Sequence, residues 1–206
     1  MNIILIGPPA CGKGTQSKRL KEKFGLNYIS TGDLFRQITK QDSDLANEIK
    51  SYIDNGRFVP DELTLKLVGE HLKTLDMSKG LLLDGFPRTV YQAKELEKLI
   101  KIDYIIEISI SRQCIINRVI NRAVCSGCGK GFIVSEKSDL FCDECGKQLV
   151  KRKDDTADIA VLRYDDYLQK TYPIVEYYKN NIGYHKIDGE KSMDEITEDI
   201  CKILEK

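Results

Sequence analysis

An α/β fold, a parallel sheet with helices on both faces, is what this 206-residue sequence predicts. Three observations predict it. Short apolar runs alternate with helix-period segments along nearly the whole chain, which favours parallel strands joined by crossover helices. The first apolar run leads through a glycine-rich turn directly into a helix, a strand–turn–helix unit. The length suits one core at about 150 residues per domain, with room for insertions.

The elements follow in order. Asn2 to Ile6 is a buried strand, and Gly7 to Gly14 is the turn. A helix runs from about Lys13 to Phe24, with Leu20 and Phe24 at i, i+4 and Gly25 as its stop. Thr31 to about Gly56 reads as two short helices. Pro60-Asp61-Glu62 opens another, whose apolar face is Leu63, Leu67 and Val68. Leu81 to Leu83 is a second strand, ending at Asp84-Gly85, and a helix covers about Val90 to Ile100. Tyr104 to Ile110 is a third strand and Arg112 to Arg122 a helix. A long helix from about Thr156, a strand around Tyr184 to Ile187 and a helix from Met193 to Leu204 complete the chain. Ala123 to Asp155 breaks the pattern: it has no helix period, four Cys and four Gly. A loop this long inside a compact domain needs something else to order it.

Composition excludes several functions. The 32 basic and 32 acidic side chains cancel, so neither nucleic acid nor an anionic membrane attracts the chain as a whole. At 41% hydrophobic and 31% charged it is an ordinary globular protein. No apolar run approaches the roughly 18 residues of a membrane span. Met1 to Gly7 lacks a basic leader, and Ile203 to Lys206 carries no lipidation signal. The expected location is therefore cytoplasmic. Seven cysteines, four of them in two CxxC pairs, point to metal rather than a disulfide framework.

The strongest motif is Gly7-Pro8-Pro9-Ala10-Cys11-Gly12-Lys13-Gly14-Thr15, between a predicted strand and a predicted helix. Successive backbone N–H groups and the helix N-terminus make such a loop a cradle for phosphate. Lys13 adds a full charge, and Gly12 and Gly14 let the backbone approach phosphate oxygens. Ala10, if its φ is positive, costs about 1 kcal/mol or more. Cys11 stands near Lys13 and a helix N-terminus, both of which lower a thiol pKa. Two readings of it are open, a thiol that a bound phosphate ligand protects from alkylation and an inert filler.

GPPACGKGTQ from Gly7 to Gln16 resembles the opening of adenylate kinases and related nucleoside monophosphate kinases. The other motifs of that family follow in its order: Ser30-Thr31-Gly32-Asp33-Leu34 with Arg36, then Leu83-Asp84-Gly85-Phe86-Pro87-Arg88-Thr89 with Gln92. Arg118 with Arg122, and Arg152-Lys153-Asp154-Asp155 with Arg163, complete the set. The resemblance implies a P-loop NTPase-type core with a five-stranded parallel sheet over 1–29, 60–121 and 159–206. It also implies an AMP-binding insertion over 30–59 and a lid over 122–158, hinged near Asn121 to Ala123 and Asp155 to Ala157. The implied reaction is ATP + AMP ⇌ 2 ADP with Mg2+, by a monomer whose partners are ATP, AMP and ADP. The family's adenylate members carry Thr and Gln at positions 31 and 92, which supports AMP as acceptor; a related monophosphate is the other reading.

Phosphoryl transfer of this kind needs alignment and charge compensation, not a nucleophilic side chain. Arginine suits it, since its planar fork binds phosphate bidentately and stays charged. Six of the nine arginines match the family's phosphate-binding set. By resemblance Arg36 and Arg88 hold the AMP phosphate, Arg118 and Arg122 hold ATP, and Arg152 and Arg163 meet the transferring group. The catalytic set is then Lys13, Arg88, Arg122, Arg152, Arg163 and Asp84, with Asp84 holding Mg2+ through water or else capping a helix or turn. Asp33 is either part of that water network or a helix cap. The implied ATP contacts are Ala10, Cys11, Gly12, Lys13, Gly14, Thr15, Arg118, Arg122, Gly131, Phe132 and Lys191. Thr31, Arg36, Arg57, Phe58, Val59, Gly85, Phe86, Pro87, Arg88, Gln92, Arg152 and Arg163 are implied for AMP. Gln92 has a donor and an acceptor for adenine. Phe132 either stacks on the ATP base or fills the lid's small core. Arg19 and Arg112 match nothing and are read as surface.

Cys125-x2-Cys128 and Cys142-x2-Cys145 stand 13 residues apart, close to a zinc-ribbon spacing. Both pairs continue Cys-Gly-Lys, which fits paired turns with Gly at positive φ and amides bent toward sulfur. Four thiolates with no open position indicate structural Zn2+, against a disulfide pair as the alternative. A zinc ribbon alone would suggest a nucleic-acid binder. From Cys125 to Asp155, however, six basic and six acidic residues cancel, so there is no basic patch.

Overall fold

The computed structural model describes residues 1–134, 140–152, 155–180 and 183–205. Lys153 and Asp154 of the Arg152 motif lie outside these residues, as do Glu136, Lys137 and Asp139 of the lid's charge balance. The strands β1 (Asn2–Ile6), β2 (Asn27–Ser30), β3 (Leu81–Asp84), β4 (Tyr104–Ser109) and the late strand Tyr184–Asp188 form one sheet. Its order is 2-3-1-4 with the late strand at the edge, and every pairing is parallel. Helix α1 (Lys13–Phe24) follows β1; α2 (Thr31–Ile38), α3 (Asp44–Ile53) and α4 (Asp61–Leu72) lie between β2 and β3. Helices α5 (Val90–Glu97) and α6 (Arg112–Ile120) follow β3 and β4.

Both faces of the sheet are covered, because strand side chains alternate. Ile3, Leu5, Leu82, Ile106 and Ile108 pack with Leu20 of α1 and with Ile196 and Ile200 of the C-terminal helix. Ile4, Ile6, Leu81, Leu83 and Ile105 face the other way, onto Val68, Leu96, Ile174 and Tyr178. Two small clusters stand beside these. Phe35, Ile49, Val59 and Leu67 join α2 and α3 to the face of α4. Ala123, Cys125, Cys142 and Leu149 form the other, inside an antiparallel sheet of β5 (Arg122–Cys125), β6 (Gly131–Ile133) and β7 (Leu149–Val150).

Residues 27–30 form a strand that the apolar-run criterion passed over, since only one of the four is buried. The helix expected to reach Arg122 stops at Ile120, and Arg122 begins β5 opposite Ile133. Period-two burial takes over there, with Ala123 and Cys125 inward. The helix expected to reach Ile100 stops at Glu97. The long helix comprises α7 (Ala157–Asp166), a π-helical segment (Tyr167–Thr171) and α8 (Tyr172–Tyr178). The edge strand is β8 (Tyr184–Asp188) and the last helix α9 (Met193–Leu204), whose Ser192–Glu195 capping box fixes its start.

Candidate active site

The phosphate loop lies at the C-terminal end of β1, where α1 begins. Six other α-helices donate a first-turn backbone N–H to the hydroxyl of a Ser or Thr N-cap: Ser30, Ser43, Thr89, Ser111, Thr156 and Ser192. Helix α1 is capped by Gly12 at φ 100° with no such bond, which leaves its first amides and its dipole to an anion. Ala10 has φ 59°, so the condition under which alanine is strained there holds. Lys13 Nζ donates to the carbonyls of Gly7 (2.6 Å) and Pro8 (2.9 Å) and lies 3.4 Å from Cys11 Sγ. Cys11 is 1% exposed and belongs to the core under the loop, so the inert filler is the reading its burial favours.

Asp84 ends β3 beside the loop, with Oδ2 3.7 Å from where a Cβ on Gly14 would stand. Burial raises its carboxyl pKa, opposed by Lys13, by the Tyr28 hydroxyl (3.2 Å) and by Arg88. The carboxylate therefore faces the loop at a place where a cation would stabilise it, as the hard oxygen chemistry of Mg2+ requires. It caps no helix. Nor does Asp33: Ser30 caps α2, and Asp33 pairs with Arg36 at 2.6 Å.

Around Arg88 the cations gather. Burial lowers its pKa to about 10; Asp84 opposes the shift, and the neighbouring charges of Arg163 and Arg36 add to it. Its Nε donates to Gly85 O (2.7 Å), and its guanidinium stands 5.0 Å from the centroid of the Phe58 ring. Arg163 reaches Gly56 and the carboxylate of Asp155 (4.0 Å). Asp155 also accepts two hydrogen bonds from Arg122, one from Nε (2.7 Å) and one from Nη2. This carboxylate, 1% exposed, ties the base of the lid strand β5 to Arg163 of α7. Arg152 is half-buried on the segment between β7 and α7.

Several assigned groups have internal partners. Thr31 Oγ1 donates to Gly85 O (2.7 Å). Gln92 Oε1 accepts from Arg88 N (2.7 Å), and its Nε2 donates to Asp61 Oδ1 (2.8 Å). Both polar ends of Gln92 are thus engaged within the chain. Asp61, which also accepts from Thr89 Oγ1 (2.7 Å), was missed; only its place at the start of α4 hinted at it, as a first-turn acid. Arg57 is exposed, Val59 buried, and Phe86 and Pro87 buried next to Arg88. Arg118 Nη2 donates to Gly189 O (2.9 Å), while Lys191 pairs with Asp199 (2.7 Å) beyond it. Arg19, read as surface, joins α1 to α9 through Met193 O, Asp194 and Thr197. Phe132 packs on the lid cluster with Lys130 Nζ 5.4 Å from its ring centroid, which favours the lid-core reading.

The four lid cysteines converge, with all four sulfurs within 4.8 Å of one another. Each is a free thiol. Tetrahedral Zn–S bonds of about 2.3 Å would place sulfurs about 3.8 Å apart. The observed pairs Cys125–Cys145 and Cys128–Cys142 stand at 3.3 and 3.7 Å, so the donor set fits Zn2+. The Cys-Gly-Lys repeat forms two matched turns. Gly129 and Gly146 have φ of 70° and 67°, and Cys125 N and Cys142 N bond to Lys130 O and Lys147 O. Burial disfavours the Cys125 thiolate, but the amides of Cys128 and Gly127 and the neighbouring thiols outweigh it and bring the pKa to about 6. Among the described residues no other such cluster occurs, and no helix is long and apolar enough to cross a membrane.

Comparison with known proteins yields one family. A family model described as Adenylate kinase matches residues 5–183. A curated adenylate kinase of Clostridium tetani is 42% identical over 212 aligned positions, covering 99% of this chain and 98% of its own. One from Thermoanaerobacter sp. has the same identity and coverage. One from Geotalea daltonii is 43% identical over the whole of both chains.

Proposed function

Because the chain belongs to the adenylate kinase family, we propose that the arginines around Arg88 are its phosphate-transfer apparatus. The reaction is the family's reversible one, ATP + AMP ⇌ 2 ADP, with Mg2+. One observation carries the assignment. Arg88, Arg163 and Arg36 stand close enough to depress the Arg88 pKa, a concentration of cations that polyphosphate would offset.

Each residue then has a task. Gly7 to Thr15 cradle the ATP phosphates, and Lys13 exchanges the Gly7 and Pro8 carbonyls for phosphate oxygens. Arg36 and Arg88 fix the acceptor phosphate. Asp155 holds Arg122 near Arg163, so the lid base brings Arg122 beside Arg163 at the transferring group. With donor and acceptor aligned, the planar guanidinium forks take up charge spread over the equatorial oxygens. Bound Mg2+, held by Asp84 through water, would offset charge on the ATP phosphates.

The part over 30–59 binds AMP, the part over 122–158 is the lid, and the remainder is the core; the lid's own apolar cluster supports its division from the rest, and the 30–59 part packs on α4 of the core through Leu67. A structural Zn2+ on Cys125, Cys128, Cys142 and Cys145 orders the lid, whose apolar cluster is too small to do so alone. Closure excludes water that would otherwise hydrolyse ATP. We take the enzyme to act as a monomer in the cytoplasm.

A coupled assay for ADP, run with ATP and each of AMP, GMP, UMP and CMP, tests both activity and acceptor choice. AMP should far exceed the others. Arg88→Ala should lower turnover at least about a hundredfold with the far-UV spectrum unchanged. Turnover within tenfold of the parent would remove Arg88 from the apparatus.

A further inference from the structure

Arg163, Tyr167 and Thr171 are spaced by four along the long helix. In a regular α-helix eight residues make 800°, so Thr171 would point about 80° away from Arg163. The helix does not stay regular. Over Tyr167–Thr171 it widens into a π segment, closed by the Tyr172 N–H bonding to Tyr167 O five residues back. The wider turn removes most of that rotation, and Tyr167 and Thr171 are both buried, 6% and 7% exposed.

What Thr171 meets is the backbone of Arg88. Its Oγ1 donates to Arg88 O at 3.0 Å, and Arg88 N donates to Gln92 Oε1 at 2.7 Å. Both main-chain polar groups of Arg88 are therefore held by side chains, one from α5 and one from the π segment. The same segment sets Lys170 Nζ 5.0 Å from the ring centroid of Phe58, the distance at which the Arg88 guanidinium also stands. Lys170 is in turn steadied by Asp166 at 2.7 Å.

We propose that Thr171, turned inward by the π segment, is a positioning residue for Arg88. It fixes the Arg88 carbonyl so that the guanidinium is presented to the acceptor phosphate at a set height and angle. Because Arg163 lies on the same helix, the register of acceptor arginine and transfer arginine is set by one element. π segments of this kind recur at functional sites because they rotate side chains without breaking the helix. The inference rests on Arg88 holding the acceptor phosphate.

The test is a steady-state comparison of Thr171→Val, which keeps the shape and removes the hydroxyl, with Thr171→Ser, which keeps the hydroxyl. The Val variant should raise KM for AMP about fivefold to tenfold, the range of one neutral hydrogen bond, with KM for ATP within about twofold. The Ser variant should restore KM for AMP to within about twofold of the parent. If the Val variant does not fold, Thr171→Cys, a weak donor of similar size, takes its place. An unchanged KM for AMP, an equal rise for both nucleotides, or no rescue by Ser would overturn the proposal. Arg88→Ala runs alongside. If it leaves KM for AMP unaltered, the acceptor-site reading itself fails; if it raises KM for AMP and Thr171→Val does not, only the positioning role fails.

Discussion

Among the described residues Ala10 is the one non-glycine with a positive φ. A Cβ in that region costs roughly 1–2 kcal/mol, while glycine gives back part of the gain through its freer unfolded state. Ala10→Gly should therefore stabilise the protein by about 0.5–1 kcal/mol, or about 1–4 °C in Tm. KM for ATP should stay within about twofold, since the loop keeps its shape. A large loss of ATP affinity would show that the methyl group has a binding role. The strain was legible because a motif specifies backbone as well as side chains. The arginines were legible for the same reason. Asp61 was not: its contact with Gln92 spans 31 positions, and nothing local to either residue announces it. Nor was the engagement of Thr31 with Gly85 O, because a motif names residues and not the partners they take.

At the scale of elements, legibility followed periodicity. Strands β1, β3 and β4 read clearly because both faces of the sheet are covered and each carries a run of apolar residues, broken in β4 by Glu107. The four residues of β2 lack that signature, being an edge strand with polar ends, and only the family resemblance implied a fifth strand. The π segment was invisible, since a one-residue change of phase leaves the apolar pattern of a long helix nearly intact. The lid was legible in its chemistry, though not in its strands, which are two to four residues long. Its dependence on metal can be measured. Freshly purified protein should contain one zinc per chain. Chelation should lower Tm by about 5–10 °C, as expected for the loss of about 2–3 kcal/mol. Amide protection should fall first over 122–150 while the core amides keep theirs, because the lid has its own cluster. Activity at low temperature should persist, the metal having no part in the chemistry. Protein without zinc, or uniform loss of protection over the whole chain, would contradict a structural metal confined to the lid.

Across the whole molecule the charges cancel, so bulk steering of nucleotides is weak and selectivity depends on how the parts meet. Among the described residues, two contacts between lid and core bear on this. One is the lid base, where Asp155 joins Arg122 to Arg163. The other is the first cysteine turn, where Lys18 Nζ of α1 donates to Cys128 O at 3.2 Å, across 110 positions of sequence. The base contact is buried and the Lys18 contact is exposed, so of the two the Lys18 contact is the one that movement of the lid away from α1 would break. A hydrogen bond from an exposed cation to a carbonyl is worth about 0.5–1 kcal/mol, or about twofold to fivefold in the closing equilibrium. Lys18→Met, which keeps the stem and removes the donor, should then raise KM for ATP about twofold to fivefold. KM for AMP should not change, because the AMP part makes no use of that contact. Tm should stay within about 1 °C, since the bond is exposed. Where lid opening limits turnover, kcat should rise as KM does, because the open state is favoured in both directions of the reaction. A donor–acceptor dye pair on α1 and the lid would report the same shift directly as a larger open fraction at subsaturating ATP. An unaltered open fraction, or equal changes in both KM values, would show that Lys18 plays no part in holding the lid.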